Sequence, residues 1–234
     1  MTRLALVTGA TRGIGRAIAQ RLAKDGLKVI GTGTRPGGSV PAGCTYEAVD
    51  LSDPAAAQAF ADRVAGMGID VLVNNAGINK ISPFAEIDPA DFARIQQVNV
   101  TAPFLLCRAV LPHMRAEGWG RIVNVSSIWG KIAKEQRGPY AASKFALDGM
   151  TAALAAEAAE WGVLANCVAP GFIDTELTRN TLGEKGMIEL AARVPARRLG
   201  RPEEVAALVA WLAGPENTYV SGQNIAIDGG FSRV

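Results

Sequence analysis

Short apolar runs alternate along the chain with longer segments in which apolar residues recur at three- and four-residue spacing. The short runs are rich in Val, Ile and Leu, which is typical of strands buried on both faces of a sheet. They fall at residues 4–7, 28–30, 45–49, 71–73, 122–125, 164–168 and 225–227. The longer segments have helical periodicity and cover residues 13–25, 54–66, 89–116, 139–160 and 203–213. Pro follows Asp53, Asp88 and Arg201 at three of the helix starts, where it suits the first turn.

The alternation of strand and helix predicts an α/β fold with a doubly wound sheet of about seven parallel strands and helices on both faces. The length of 234 residues is ordinary for one α/β domain. We expect a single domain over residues 1–234, with a cofactor-binding half at about 1–120. The catalytic and substrate half would then occupy about 121–234.

Composition and charge exclude several classes of function. The 24 basic and 22 acidic residues are interspersed, so nucleic acid is not an expected partner. Three widely spaced cysteines and one histidine, His113, argue against a disulfide framework, a metal site and a Ser-His-Asp hydrolase. We interpret His113 as a surface capping residue near a helix end. No apolar run approaches the ~18 residues of a membrane span, and the N-terminus does not look like a signal peptide, so we expect a cytoplasmic protein without a membrane partner.

A glycine-rich turn joins the first strand directly to the first helix. Its sequence from Thr8 to Gly15 is TGATRGIG, with glycines at positions 9, 13 and 15. Such glycines permit a sharp turn, close approach to a pyrophosphate and tight packing of helix on strand, while the helix N-terminus favours negative charge. The turn therefore predicts a Rossmann-type dinucleotide site, and the alternative is a tight turn of purely structural purpose. The spacing Gly-x-x-x-Gly-x-Gly differs from the usual Gly-x-Gly-x-x-Gly fingerprint.

A candidate acid/base group lies in the second half. Tyr140 and Lys144 are four residues apart, hence on one helix face, and the lysine charge would lower the tyrosine pKa from its usual value of ~10. Ser127 ends a strand thirteen residues before Tyr140, where its hydroxyl can hydrogen-bond a substrate oxygen. Tyr-x-x-x-Lys alone is a weak signal that any helix can carry by accident. Together the three residues suit proton transfer between a ketone and an alcohol.

These motifs resemble those of the short-chain dehydrogenase/reductase family over essentially the whole chain. The matching segments are 8–15, 74–77, 170–171 and 228–230, together with Asn99, Ser127, Tyr140 and Lys144. The resemblance implies an NAD(P)-dependent oxidoreductase that forms a dimer or tetramer, with Asn99, Ser127, Tyr140 and Lys144 as its catalytic group. The cofactor-binding residues implied by the motifs are Gly9, Thr11, Arg12, Gly13, Ile14, Gly15, Thr34, Arg35, Asp50, Leu51, Asn74, Ala76, Gly77, Tyr140, Lys144, Pro170, Gly171, Ile173 and Thr175.

Within that set the resemblance suggests particular roles. Asp50 would bind the adenine amine, and Asn74 with Gly77 would lie along the adenosine side of the cofactor. Ile173 and Thr175 would contact the nicotinamide carboxamide. Asn99 lies four residues before Pro103, whose missing N–H frees the carbonyl of residue 99 to hold a water that relays protons to Lys144. The alternative is that Asn99 only fills a helix irregularity.

The choice of nicotinamide cofactor rests on the end of the second strand. An acidic residue there would bind the adenosine ribose and repel a 2′-phosphate, but residues 31–35 contain no carboxylate. Arg12 and Arg35 are placed to converge on a phosphate instead. NADP(H) is therefore favoured over NAD(H), with two solvated arginines as the alternative.

The branch of the family that the chain most resembles is 3-ketoacyl (acyl-carrier-protein or CoA) reductase. That branch usually carries basic residues where this chain has Gly118 and Trp161, so docking of an acyl carrier protein is doubtful. Lys131, Lys134 and Arg137 follow Ser127 and suggest an anionic substrate such as a keto acid, sugar acid or acyl-CoA, or else a solvated loop. Residues 174–198 resemble a mobile lid.

Other functions remain open at this stage. An NAD(H)-linked dehydrogenase of a sugar, polyol or other small alcohol fits the same motifs. A nucleotide-sensing regulator of the same fold would need the glycine turn but not Tyr140 and Lys144, and a structural interaction protein would need neither.

Overall fold

Seven parallel strands form one sheet at the centre of the computed structural model, which describes residues 2–233. The strands are β1 (Leu4–Val7), β2 (Lys28–Gly33), β3 (Cys44–Ala48), β4 (Val71–Asn74), β5 (Gly120–Val125), β6 (Val163–Pro170) and β7 (Asn224–Ile227). Their order in the sheet is β3-β2-β1-β4-β5-β6-β7, and every neighbouring pair is parallel. This is the predicted doubly wound, Rossmann-type arrangement. The chain reverses its direction of winding between β1 and β4, and ligands of such sheets bind at the carboxyl ends of the strands beside that point.

Helices cover both faces of the sheet. They are α1 (Gly13–Lys24), α2 (Pro54–Ala65), α3 (Pro89–Gln96), α4 (Ala102–Ala116), α5 (Gly138–Ala158), α6 (Glu176–Arg193) and α7 (Pro202–Ala213). Helices α1 and α7 pack on one face, and α2, α4 and α5 pack on the other. Alternate side chains of β1 show why its sequence is apolar throughout: Ala5 and Val7 join the core under α1 and α7, whereas Leu6 joins the opposite core.

The predicted Asp-Pro helix starts are confirmed. The carboxylate of Asp53 accepts a hydrogen bond from Ala55 N at 2.9 Å, and that of Asp88 accepts one from Ala90 N at 2.9 Å. Each aspartate thus satisfies an N–H group that has no partner within the helix. The proline that follows each cap needs no such partner.

The prediction of one continuous helix over residues 89–116 was wrong. A π-helical turn at Gln97–Thr101 separates α3 from α4, and Pro103 lies in the first turn of α4. Since proline has no N–H to donate, the regular ladder cannot continue there, and Ala102 N bonds to the carbonyl of Gln97 instead. Asn99 lies inside this wide turn. The segment 174–198 is largely α6, which Gly183 interrupts with a φ of 63°.

His113 lies in the last turn of α4 but contacts a side chain rather than capping the helix. Its Nε2 atom is 3.1 Å from Oδ1 of Asp70, whose Oδ2 accepts a hydrogen bond from Leu4 N at 2.8 Å. Asp70 therefore ties the end of α4 to the start of β1. Between Thr2 and Arg233 no helix is long and apolar enough to cross a membrane, and no three His, Cys, Asp or Glu side chains are grouped to hold a metal ion.

Candidate active site

The glycine turn is fixed by the loop that follows β4. The hydroxyl oxygen of Thr8 accepts hydrogen bonds from the backbone N–H groups of Asn75 and Ala76, both at 3.0 Å. The side-chain amide of Asn75 donates to the carbonyls of Thr8, at 2.9 Å, and Gly9, at 3.2 Å. Asn75 thus holds the turn, a role that the sequence analysis did not assign. The Asn-Asn pair was visible in the sequence, but which of the two amides faces the turn depends on the tertiary structure.

The side chain of Asn74 does not lie along the cofactor side as we expected. It is buried, and its amide nitrogen donates to Asn124 Oδ1 at 2.8 Å. Cys107 of α4 lies on the same side, with its sulfur 3.5 Å from the amide nitrogen. Asn74 is the last residue of β4, and its side chain points under α4 into the core.

The turn fits the pyrophosphate of a dinucleotide. Gly9 and Gly13 have φ angles of 67° and 53°, in the left-handed region that favours glycine. Arg12 is the N-cap of α1, yet its side chain caps no N–H group of that helix, and the first turn carries no acidic residue. The first-turn N–H groups and the positive end of the helix dipole therefore remain suited to an anion. The predicted residues Ile14 and Gly15 lie in this same first turn.

The end of β2 lies beside the glycine turn. A Cβ atom at Gly33 would approach Thr11 Cγ2 to 2.5 Å, so the methyl group of Thr11 packs against the strand that leads to Thr34 and Arg35. Arg12 and Arg35 are both exposed at this edge. The structure therefore brings together the two segments that carry these arginines.

The residue predicted to bind the adenine amine, Asp50, has a carboxylate that hydrogen bonds hold in place. Asp50 is exposed, and its Oδ1 atom accepts hydrogen bonds from Ser52 N at 2.9 Å and Ser52 Oγ at 2.7 Å. These bonds lower the pKa of Asp50 and keep it ionised. The neighbouring Leu51 is buried, and its carbonyl accepts a hydrogen bond from Gln97 Nε2 at 3.3 Å.

The segment after β6 returns to the glycine turn. Pro170 ends β6, and a Cβ atom at Gly171 would lie 2.6 Å from Asp228 Cβ, so only glycine fits between the strand ends. Thr175 caps α6 by accepting from Thr178 N at 3.2 Å. A Cβ atom at Gly13 would lie 3.6 Å from Thr175 Cγ2. Residues from the two halves of the chain therefore meet at the carboxyl edge of the sheet, as the proposed cofactor site requires.

Lys144 is almost completely buried at this edge. Its Nζ atom donates to the carbonyl of Val125 at 2.8 Å and lies 5.6 Å from the ring centroid of Tyr140. A Cβ atom at Gly77 would lie 3.6 Å from the same Nζ atom. Burial lowers the pKa of Lys144 to about 8, because removal from water disfavours the charged form.

The electrostatics of Tyr140 differ from the expectation. Burial raises the pKa of Tyr140, while the Ser127 hydroxyl and the Arg137 charge act in the opposite direction. The cation that opposes the rise is Arg137, because the ammonium of Lys144 is held at the Val125 carbonyl. The expected lowering of this pKa by Lys144 was therefore wrong for the chain by itself.

Asn99 links the loop after β4 to the catalytic helix. Its Oδ1 atom accepts from Ile78 N at 2.9 Å, and its amide nitrogen donates to Ile78 O and to Ser143 Oγ, both at 3.0 Å. Ser143 Oγ in turn donates to the carbonyl of Tyr140 at 2.7 Å. Asn99 therefore does not only occupy the π turn, because its contacts also hold the first turns of α5.

Ser127 follows β5, and its orientation is set by the backbone. Its Oγ atom accepts a hydrogen bond from Trp129 N at 3.2 Å, which leaves the hydroxyl proton to be donated elsewhere. The ring of Trp129 packs edge-on against Phe172 and Phe231, with centroid distances of 6.2 and 6.4 Å. This aromatic cluster fills space beside Ser127, and it was not predicted because its three rings come from distant parts of the sequence.

The three cations after Ser127 have different surroundings. Lys131 Nζ donates to the carbonyl of Asn224 at 2.8 Å, so this residue is tied to β7. Lys134 is exposed. Arg137 is half-buried directly before α5 and is the one of the three whose charge acts on Tyr140.

The chain is similar to known reductases and dehydrogenases over almost its whole length. A family model described as enoyl-(acyl carrier protein) reductase matches residues 9–232. The chain is 40% identical to 3-oxoacyl-[acyl-carrier-protein] reductase of Vibrio cholerae, over 99% of this chain and 98% of that protein. It is 36% identical to acetoacetyl-CoA reductase of Cupriavidus necator, over 97% of each. A crystal structure of a putative NAD(P)-dependent gluconate 5-dehydrogenase from Beutenbergia cavernae with bound NADP (low occupancy) superposes with a TM-score of 0.89, at 37% identity over 98% of this chain and 96% of that one.

Replacing Lys144 by Met should stabilise the protein at pH 7 by up to about 3 kcal/mol, since that energy corresponds to a pKa lowered from 10.5 to about 8. The lost hydrogen bond to Val125 reduces the gain. The unfolded lysine keeps its proton up to 10.5, whereas the folded one releases it near 8, so the wild-type protein alone gains stability as the pH rises between these values. Urea denaturation should therefore show a smaller difference in the free energy of unfolding between Lys144→Met and the wild-type protein at pH 9.5 than at pH 7.

The matched control is Lys134→Met, which removes an exposed lysine and should change stability by no more than about 0.5 kcal/mol. A Lys144→Met protein less stable than wild type at pH 7, or a gap that does not change with pH, would show that burial of this ammonium carries no such penalty.

Proposed function

The chain belongs to the short-chain dehydrogenase/reductase family, and from this premise we propose that it is an NADP(H)-dependent oxidoreductase that interconverts a ketone and a secondary alcohol. The observation that carries the proposal is the placement of Ser127, Tyr140 and Lys144 at one carboxyl edge of the sheet, beside a turn that fits a dinucleotide. A nucleotide-sensing regulator would not need these three side chains. The short-chain dehydrogenase/reductase relatives act on CH–OH and ketone groups, which supports the same reaction class.

The residues divide the chemistry between them. The bound nicotinamide supplies the hydride in reduction and accepts it in oxidation. Tyr140 donates its phenolic proton to the carbonyl oxygen as that oxygen gains charge, and takes a proton from the alcohol in the reverse direction. Ser127 donates its hydroxyl proton as a hydrogen bond to the same substrate oxygen, because Trp129 N already occupies a lone pair of Oγ. Lys144, with a pKa of about 8, is suited to exchange protons near neutral pH.

The preference for NADP(H) over NAD(H) is supported by two exposed arginines, Arg12 and Arg35, which lie on segments that pack together. The gluconate 5-dehydrogenase structure with bound NADP is consistent with this choice. An NAD(H)-linked dehydrogenase is the alternative.

Two substrate classes follow from the relatives. The Vibrio and Cupriavidus proteins favour a 3-oxoacyl compound. The gluconate dehydrogenase favours a sugar acid or another small hydroxy compound. The positions of Gly118 and Trp161 still argue against docking of an acyl carrier protein.

We also propose that the protein is a single-domain enzyme that assembles into a dimer or tetramer. Helices α4 and α5 expose Phe104 and Phe145, and the later turns of α5 are rich in small alanine side chains that a partner helix can approach closely. A contact there would hold the catalytic helix rigid.

Replacing Tyr140 by Phe should reduce the rate of ketone reduction at least a hundredfold, since the ring remains but the proton donor is lost. NADPH-dependent reduction of ethyl acetoacetate and of small keto acids measures the rate, and NADPH fluorescence should show retained cofactor binding. Tyr219→Phe is the matched control, because Tyr219 is 95% exposed and lies outside the site. Retention of most activity by Tyr140→Phe would rule out this residue as the proton donor.

The wild-type protein should bind NADPH more tightly than NADH. Arg35→Asp should reduce this preference by about ten- to a hundredfold, since one charge-assisted contact is worth roughly 1.5–3 kcal/mol. Titration of both cofactors by fluorescence measures the ratio. Lys24→Asp makes the same change of charge at the far end of α1 and should leave the ratio unaltered. Equal wild-type affinities for the two cofactors would refute the assignment of Arg12 and Arg35.

A further inference from the structure

Arg137 occupies a position that combines closeness to Tyr140 with partial burial. It is the N-cap residue of α5 and lies three residues before Tyr140, which is in the first turn of that helix. The guanidinium group is half-buried, and burial lowers the pKa of Arg137. Its charge opposes the rise in the pKa of Tyr140 that burial causes, so the two residues interact electrostatically.

The backbone holds Arg137 in this position from both sides. Gln136 has a φ of 64°, a left-handed conformation that is uncommon for a residue other than glycine. The Gln136 carbonyl accepts a hydrogen bond from Ser82 N at 3.2 Å, and the Arg137 carbonyl accepts one from Ala141 N at 2.8 Å. These contacts fix the backbone of Arg137 directly before the helix that carries Tyr140.

Some arginines of the chain are paired with carboxylates, and Arg137 is not among them. Arg21, Arg179 and Arg198 form ion pairs with nearby carboxylates. Among the side chains that the structure describes, none forms an ion pair or a hydrogen bond with the Arg137 side chain. A partly desolvated cation without a counter-charge is unfavourable for folding alone. An anionic group bound beside Tyr140 would offset that cost.

We propose that Arg137 binds the carboxylate of the substrate, and that the substrate is a free oxo acid or its hydroxy acid rather than a thioester. This inference rests on the proposed oxidoreductase function and narrows it. Arg137 and Tyr140 are three residues apart at the start of α5. A carboxylate on Arg137 and a carbonyl oxygen on Tyr140 are then separated by only a few carbon atoms.

A thioester fits this arrangement less well. Near its reacting carbon an acyl thioester carries only neutral atoms, which would leave the Arg137 charge without compensation. The aromatic cluster of Trp129, Phe172 and Phe231 also takes up space beside Ser127, which favours a compact substrate over a long acyl chain. Both observations favour a short acid.

The experiment compares each acid with its own methyl ester, so that only the charge changes. Acetoacetate, 2-oxobutyrate and 5-oxohexanoate are each paired with their esters, and acetoacetyl-CoA is added. For the preferred pair, the wild-type kcat/KM should favour the acid at least tenfold. Arg137→Gln should bring the acid-to-ester ratio close to one, mainly through a ten- to hundredfold rise in KM for the acid. Arg137→Lys should restore part of the preference.

Lys134→Gln provides the matched control, because it removes one positive charge from an exposed position of the same loop. It should preserve the acid-to-ester ratio. Esters or acetoacetyl-CoA that equal the acids with the wild-type protein, or an unchanged ratio in Arg137→Gln, would overturn the role of Arg137 and leave the oxidoreductase function intact.

A second measurement is used if none of these compounds is reduced. That outcome would count against the proposed oxidoreductase function for this set of ketones. The melting temperature of the NADPH-loaded protein is measured with each acid and ester. The acids should raise it more than their esters in the wild type but not in Arg137→Gln. No such difference for any pair would overturn the carboxylate site independently of turnover.

Discussion

The hydrogen bond between the Lys144 ammonium and the Val125 carbonyl, formed almost out of reach of water, constrains the whole catalytic edge. A buried ammonium is tolerated only where its protons find acceptors. The Val125 carbonyl lies at the end of β5, two residues before Ser127, so this contact sets the distance between α5 and the strand that carries Ser127. Tyr140, one turn earlier on α5, is positioned by the same contact.

A buried polar network extends this constraint along the helix. Asn124 of β5 accepts a hydrogen bond from Asn74 of β4 and donates one to Thr151 of α5, both at 2.8 Å. Thr151 follows Lys144 by seven residues, which is two helical turns, so both residues face the sheet. Since buried amides are costly without partners, α5 has few alternative positions on the sheet. The core thereby fixes the register of the helix that carries the acid/base group.

Much of this arrangement could be predicted from local sequence. The apolar runs predicted the seven strands, and the Tyr140–Lys144 spacing predicted a shared helix face, because both depend on short-range periodicity. The π turn around Asn99 was missed, since a single wide turn inserts only one residue between two segments that each keep a regular helical pattern. The roles of Asn74 and Asn75 depend on which strand face meets α4, a tertiary property. Lys131 is bound to β7, whereas Arg137 is not. This difference depends on where β7 lies in the fold, which the pattern of charges along the sequence does not show.

The most direct test of this account is the pKa of Lys144 itself. Titration of isotope-labelled lysine side chains by NMR, with the Lys144 signal assigned by its loss in Lys144→Met, would measure it. We expect a midpoint near 8, the value to which burial lowers the pKa of this residue. A midpoint near the usual ~10.4 would show that the ammonium is solvated, and it would contradict the constraint on which the geometry of the catalytic edge depends.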